Sequence, residues 1–443
     1  MNQQERPPLA RVLPLVALVY VAFLFPPEVR LQIGDLQIYS YRLVILPSLI
    51  FVGAQIFAGR MRFSLIDYLV ILSATWSAFA LTVVYGFSES LTPVATVFVD
   101  TVGSYLIART AIQSLTDARR VLIMIAPAVF LAGAIMVIES VSHTLIARPF
   151  FARVFGPVFD YTEGPTPTTL YFRTEVRMGL LRSYGTFGHP ILGGLMLLSL
   201  LPAFVMSGIR SAPRILGVLG AVCGFFSLSS AAIMSLALAA GLIAGDAIKR
   251  RFVAIGWPVI SGTVVAILIS LHFVSSGGII NVISRLTINP ATAYTRQQTW
   301  HYGLQSVENH PWFGIGRELF ERPEHLTPSV DAHFLAMGIS GGAIPPLLLI
   351  AAVVMIMIGL GKRAVQAQSL LERNMFVGAN FSILLLFFGA FTVTFFSDGK
   401  IWLMCLLGIG ASLAGMKSAQ INGAPVSGRA TVGAAPRNIA ATT

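Results

Sequence analysis

Charged residues are scarce in this 443-residue chain, at 11% of the total, against about 25% in an ordinary soluble domain. That excludes a soluble globule. There are only two cysteines, Cys223 and Cys405. Both fall inside apolar runs, which excludes a disulfide framework and a thiolate metal site and leaves them as lipid-buried packing residues. The chain lacks an Asp-x-Asp pair for a metal-bound sugar diphosphate, a phosphate-binding P-loop and a His-Glu-x-x-His. Any catalysis is therefore expected to need no metal and no cofactor and to rest on Arg and His. Net charge is +11, yet no basic run supports nucleic-acid binding, so the charge bears on membrane orientation and anionic partners. No internal repeat and no matched pair of broken helices of the transporter kind is visible.

What the chain has instead is apolar length. Hydrophobic residues make up 55% and mean hydropathy is +0.78. Each membrane span uses about 20 apolar residues, and about twelve such runs can be placed. They lie near 9–27, 42–58, 67–86, 92–112, 121–141, 188–208, 213–228, 231–248, 253–274, 334–360, 375–396 and 401–416. The expected fold class is an all-α integral membrane protein, with residues 1–416 forming one polytopic unit. The polar start, Met1 to Pro8, precedes no small-residue cleavage site, so the first run reads as a retained helix. Residues 417–443 are rich in Gly, Ala, Ser, Thr and Pro and read as a disordered cytoplasmic tail.

Orientation follows from Lys and Arg, which cytoplasmic loops retain. With the N-terminus inside, Arg60, Arg62, Arg109, Arg119, Arg120 and Lys249-Arg250-Arg251 fall on the cytoplasmic side, where they serve as topology anchors. Both termini are then cytoplasmic. The external positives concentrate in two long loops, near 142–187 and 275–333, with Arg148, Arg153, Arg173, Arg177 and Arg182 in the first and Arg285, Arg296, Arg317 and Arg322 in the second. Loops of that length tend to be functional or disordered. The first is rich in aromatics, interrupted by Gly156-Pro157 and Gly164-Pro165, and reads as irregular backbone on the membrane interface. The second contains an expected interfacial helix from about Ala291 to Asn309, with Trp300, Leu304 and Val307 on one face and Gln297, His301, Gln305 and Glu308 on another.

External arginines oppose the charge bias, and their planar forks suit phosphate oxygens, so several converging ones suggest a diphosphate. Headgroup contacts, or ion pairs with acids such as Glu175 and Asp331, are the plainer alternative. Arg182 and Arg296 stand out because each directly precedes a segment entering or lying along the membrane. Arg173, Arg177, Arg317 and Trp300 are further candidates for touching substrate. Of the seven histidines, His333 sits where the second loop re-enters a span. An imidazole there either takes a proton from an attacking hydroxyl or serves as a capping or interface group.

Three stretches in order are recognisable: Arg182-Ser183-Tyr184-Gly185-Thr186-Phe187-Gly188-His189-Pro190, then Arg296-Gln297-Gln298-Thr299-Trp300 leading to His310-Pro311-Trp312-Phe313-Gly314-Ile315-Gly316, then His333-Phe334-Leu335. This pattern resembles the O-antigen ligase and polymerase superfamily of bacterial envelope proteins. The resemblance covers roughly 180–345 in detail. It implies a multi-span, GT-C-type glycosyltransferase of the bacterial inner membrane, independent of metal, with a periplasmic site. Its donor would be an undecaprenyl diphosphate-linked glycan and its acceptor lipid A-core or a second lipid-linked glycan. The implied roles are diphosphate binding for Arg182 and Arg296, and base or acceptor positioning for His333. At the turn Ser227-Leu228-Ser229-Ser230-Ala231, where relatives often carry Ser-Arg-Gly, this chain has no Arg, and Phe334 stands where Asn or Ser commonly follows the His. The competing class is a flippase or secondary transporter, which would need ionisable groups at mid-membrane depth. Asp100 and Glu139 are the main candidates for that role.

Overall fold

The structure is a computed structural model that describes residues 13–33, 36–59, 61–156, 174–251 and 290–416. Helix α1 (Leu13–Ala22) leads through an antiparallel hairpin, β1 (Arg30–Ile33) and β2 (Leu36–Tyr39), into α2 (Ser40–Phe57) and α3 (Leu65–Tyr85). Helix α4 (Phe87–Val97) continues through one π turn, Phe98–Gly103, into α5 (Ser104–Ala111), followed by α6 (Leu115–Ser142) and α7 (Ala147–Phe155). A second hairpin, β3 (Val176–Arg177) and β4 (Leu180–Leu181), precedes α8 (Pro190–Ser199), α9 (Leu201–Met206), α10 (Ala212–Val222) and α11 (Ser230–Arg251). Then come α12 (Pro290–Asn309), α13 (His333–Gly341), α14 (Ile344–Gln366), α15 (Leu370–Ala390) and α16 (Asp398–Gly415).

Among the described residues seven helices are long and apolar enough to cross a membrane, and Leu13–Ala22, Pro190–Met206 and Ala212–Ser227 are shorter apolar helices. Ile50, Leu65, Phe79 and Leu347 are exposed on the outside of the bundle, as lipid-facing side chains would be. The expected span at 253–274 lies outside the described residues. Three expectations need correction. The run at 334–360 is two helices, because Gly342 turns the chain at φ 80° and Pro345-Pro346 cannot donate to a preceding turn. Loop one is only partly irregular: α7 forms within it, its first amides accepted by a carboxylate from another helix. The two small hairpins, finally, add strand to an otherwise all-α fold.

Local chemistry fixes the helix ends. The Ser64 N–H and hydroxyl both donate to Asp67 Oδ2 at 2.6 and 2.7 Å, a capping arrangement that starts α3. Asp67 is fully buried and also accepts from the Tyr105 hydroxyl (2.6 Å) and Arg109 Nε (3.0 Å), so it ties α3 to α5. Arg109 reaches Ser412 of α16 from the same place. Asp246 of α11 pairs with Arg373 of α15. Helices α6 and α10 meet backbone to backbone, since a Cβ on Gly133 would lie 2.5 Å from the Gly220 carbonyl oxygen. In the core, the buried Trp402 packs edge-on against Tyr20 and donates from Nε1 to Ser199 Oγ at 3.1 Å.

Candidate active site

The second long loop is anchored at its turn. Gly314 and Gly316 adopt φ 62° and 69°, which only glycine takes without strain. The Ile315 and Gly316 amides donate to the Ile339 and Ser340 carbonyls of α13 at 2.8 and 3.1 Å, and the Ala343 amide donates to the Pro311 carbonyl at 2.8 Å. Trp76 Nε1 of α3 donates to the Trp312 carbonyl at 2.9 Å. The Pro-x-x-Gly-x-Gly stretch is therefore a clamp on the end of α13, and it holds that short helix in place.

At the other end of α13 sits His333. Its amide donates to the Val393 carbonyl (3.2 Å), the Ala332 amide donates to Thr394 Oγ1 (3.0 Å), and the Thr394 hydroxyl donates to the Val330 carbonyl. These bonds fix the backbone, while Phe395 stacks on the ring with centroids 5.4 Å apart. The residue is 4% exposed, and neither ring nitrogen has a hydrogen-bond partner. Burial, followed by the charge of Lys400, pushes the imidazole down to about 3, so it is neutral. His333 lines a cavity of about 100 Å³ together with Ser73 and Ser77 of α3, Thr101 of the π turn, Ser340 of α13 and Lys400 of α16. The Thr101 hydroxyl is also buried without a partner.

Arg296 lies on α12, which crosses α13 where Gly303 lets Leu335 approach. Its Nε is buried and unpartnered. Burial lowers its basicity, and Asp331, two residues before His333, offsets this in part. The buried line of α12 is Thr299, Gly303 and Ser306, with Trp300 and Val307 beside it. Leu304 is exposed, contrary to the face expected from the sequence. Trp300 stacks on Phe391 of the segment after α15, at 6.4 Å between centroids, so one of its faces packs α12 down.

Arg177 and Arg182 form a separate group. Their hairpin turns at Met178-Gly179, where φ is positive at both residues. The two guanidiniums share Glu175, Arg177 Nε at 2.8 Å and Arg182 Nη1 at 2.9 Å. Arg177 Nη1 also donates to the Leu228 carbonyl (3.1 Å) and Arg182 Nε to the Ser227 carbonyl (3.3 Å). The turn without an arginine of its own thus receives two from the preceding loop. Burial opposes ionisation of Glu175, but the hydrogen bonds from Arg177 and Arg182 outweigh it and hold the carboxyl below its usual range. Arg182 is lowered by burial and by the neighbouring charge of Arg177. Of the two guanidiniums expected to bind diphosphate, Arg182 and Arg296, the first already shares a carboxylate with Arg177.

The stretch after Arg182 is held by Glu139, which is fully buried. One oxygen accepts from the Ile146 and Ala147 amides (2.9 and 3.0 Å), the other from Ser183 Oγ (2.6 Å) and the Gly185 amide (2.8 Å). Farther along, the Gly188 amide donates to Asp398 Oδ2 at 3.2 Å, which brings this stretch to the head of α16, two residues from Lys400. Arg148 is also structural: it is bound to the buried Glu28 at 2.7 and 2.9 Å and donates to the Gly188 carbonyl at 3.0 Å. Arg317 is exposed, and its amide is what donates, to the Tyr85 hydroxyl. Arg173 lies outside the described residues.

His333 and Arg296 therefore lie on the two helices that cross at Gly303 and Leu335, while Arg177 and Arg182 meet at the Ser227 turn. Neither Arg182 nor Arg296 lines the His333 cavity. Lys400 and Thr101 were not singled out from the sequence. A lone Lys heading an apolar run on the side expected to be external was the one available signal for Lys400.

Residues 215–344 match the family model described as O-antigen ligase. The matched segment runs from α10 to the head of α14 and contains Arg296, the Pro-x-x-Gly-x-Gly clamp and His333. The resemblance read from the motifs is borne out over that segment. No curated protein matches the chain.

Proposed function

We propose that this chain is a glycosyltransferase of the O-antigen ligase and polymerase type, acting on the periplasmic side of the bacterial inner membrane. It moves a glycan from an undecaprenyl diphosphate carrier to a hydroxyl of lipid A-core or of a second lipid-linked glycan. The acceptor oxygen attacks the anomeric carbon of the donor sugar, the bond from that carbon to the phosphate oxygen breaks, and the carrier diphosphate leaves with the electron pair. Guanidinium groups stabilise the charge that gathers on the diphosphate, and the acceptor proton passes to His333.

The observation that carries this reading is that the His333 imidazole, which lines a cavity, and Arg296 Nε, on the helix packed against α13, are both buried without hydrogen-bond partners. Buried polar groups are ordinarily paired, and these two face chemistry that an incoming hydroxyl and diphosphate would supply. In the empty site the imidazole is a weak base. A diphosphate anion beside it would favour the charged form and raise its basicity as the donor arrives. The transport alternative loses its two best candidates to structural roles, because Asp100 is bound by Arg42 at 2.7 Å and Glu139 by four donors.

The test is transfer by purified protein supplied with lipid-linked glycan and acceptor, read as release of carrier diphosphate. His333→Ala and Arg296→Ala should each lower the rate by at least about a hundredfold while the protein still inserts and folds. Rates within threefold of the unmodified protein in both variants would remove the proposal.

A further inference from the structure

Lys400 is the group in the His333 cavity that no role above absorbs. It lies in the first turn of α16 and makes no hydrogen bond or ion pair with the described residues. The acid whose charge acts on it is Asp100, and Arg42 already holds that carboxylate by two hydrogen bonds, at 2.9 and 2.7 Å. Arg42, Asp100 and Lys400 together leave one positive charge without a counterion beside a cavity of about 100 Å³, room for on the order of seven waters. Around that charge stand His333, with both ring nitrogens unpartnered at 4% exposure, and the buried, unpartnered Thr101 hydroxyl. The π turn aims Thr101 inward, and insertions of this kind recur at functional sites. A half-buried charge facing a cavity without a counterion is costly, and hydroxyl and imidazole donors next to it define a site for a compact oxyanion.

We infer that Lys400, Thr101 and His333 form a subsite for one phosphoryl group of a prenyl diphosphate, with the Lys400 ammonium as its counterion. This rests on the transferase reading for the identity of the occupant, though the anion site itself stands on the cavity. A single ammonium binds phosphate as a point charge without the bidentate geometry of Arg, which suits a phosphoryl group that must be released after transfer. The Gly188–Asp398 contact brings the Arg182 stretch to the same end of α16, so the donor would lie across the head of that helix.

The experiment uses full-length protein in neutral detergent and compares the unmodified chain with Lys400→Met and Lys400→Arg. The probes are inorganic pyrophosphate, farnesyl diphosphate and phosphatidylglycerol in mixed micelles. In Lys400→Met, farnesyl diphosphate and pyrophosphate should bind about tenfold weaker or worse, the loss expected for a charged hydrogen bond. The ligand-free variant should melt at or above the temperature of the unmodified protein, since a lone charge has been removed. Lys400→Arg should keep most of the affinity. Equal diphosphate binding in the unmodified protein and Lys400→Met would overturn the subsite, as would phosphatidylglycerol binding that is as tight and as dependent on Lys400, since the site would then be one for ordinary headgroups. If Lys400-dependent diphosphate binding were found with no glycan transfer by the unmodified protein, the subsite would stand and the transferase reading would fall. Transfer with binding indifferent to Lys400 would do the reverse.

Discussion

Glu139→Gln is the sharpest test of how the first long loop is held. The carboxylate accepts four hydrogen bonds, two at each oxygen, from the Ile146, Ala147 and Gly185 amides and the Ser183 hydroxyl. A glutamine keeps one oxygen and places an NH₂ where the other was. Turned one way, the NH₂ faces the Ile146 and Ala147 amides and both bonds are lost; turned the other, it donates to Ser183 Oγ, whose hydroxyl can accept, and the Gly185 amide is left facing a donor. With about 1.5–3 kcal/mol for each charge-assisted bond, the variant should lose at least about 1.5–3 kcal/mol, or a few °C in thermal unfolding. Hydrogen exchange gives a local readout. Either Ile146 and Ala147, or Gly185, should lose amide protection, while the Asp67 cluster at the other end of the bundle keeps its own. If all three amides exchange at unchanged rates and the melting temperature moves by less than a degree, the view that this buried carboxylate organises the α6–α7 corner and the Arg182 stretch is wrong.

Three other outcomes are expected. His333 has a folded value of about 3 against about 6.5 unfolded, so below pH 6.5 the unfolded chain takes up a proton that the folded one refuses. Stability should therefore fall by about 1.4 kcal/mol per pH unit from 6.5 toward 3, and titrating His333→Leu beside the unmodified protein should show that component of the slope gone; identical slopes would contradict the assignment. Gly314→Ala adopts a strained φ and sets a Cβ about 2.7 Å from the Gly341 amide nitrogen, so it should destabilise by at least about 1–3 kcal/mol and loosen α13, with a neutral effect on melting counting against the clamp. Glu175→Gln takes away the carboxylate that competes for Arg177 and Arg182 and should lower KM for the lipid-linked donor several-fold; an unchanged or higher KM would mean that these arginines serve the turn alone.

The helices were largely legible because each depends on a local run of apolar residues, and the Ser64 and Ser114 starts depend on partners three residues away. The glycines of the second loop were legible as a turn, but their purpose was not, since the atoms they approach belong to α3 and α13. The break at Gly342 escaped notice for the same reason: a continuous apolar run hides a turn that is forced by close approach to Pro311, where a Cβ would sit 2.6 Å away. Helix α7 is started by a carboxylate from α6, and no local pattern announces that.

Composition alone determined that this chain lives among lipids, because a segment's hydropathy is a property of the residues themselves. Which of its polar groups find partners was decided by the tertiary structure. Arg148, Arg177 and Arg182 carry the same guanidinium as Arg296, yet folding gives them Glu28 and Glu175, while Arg296 Nε and the His333 ring nitrogens have no hydrogen-bond partner among the described residues. A charge acquires its role from the counterion that packing brings to it or withholds, and those counterions come from distant parts of the chain.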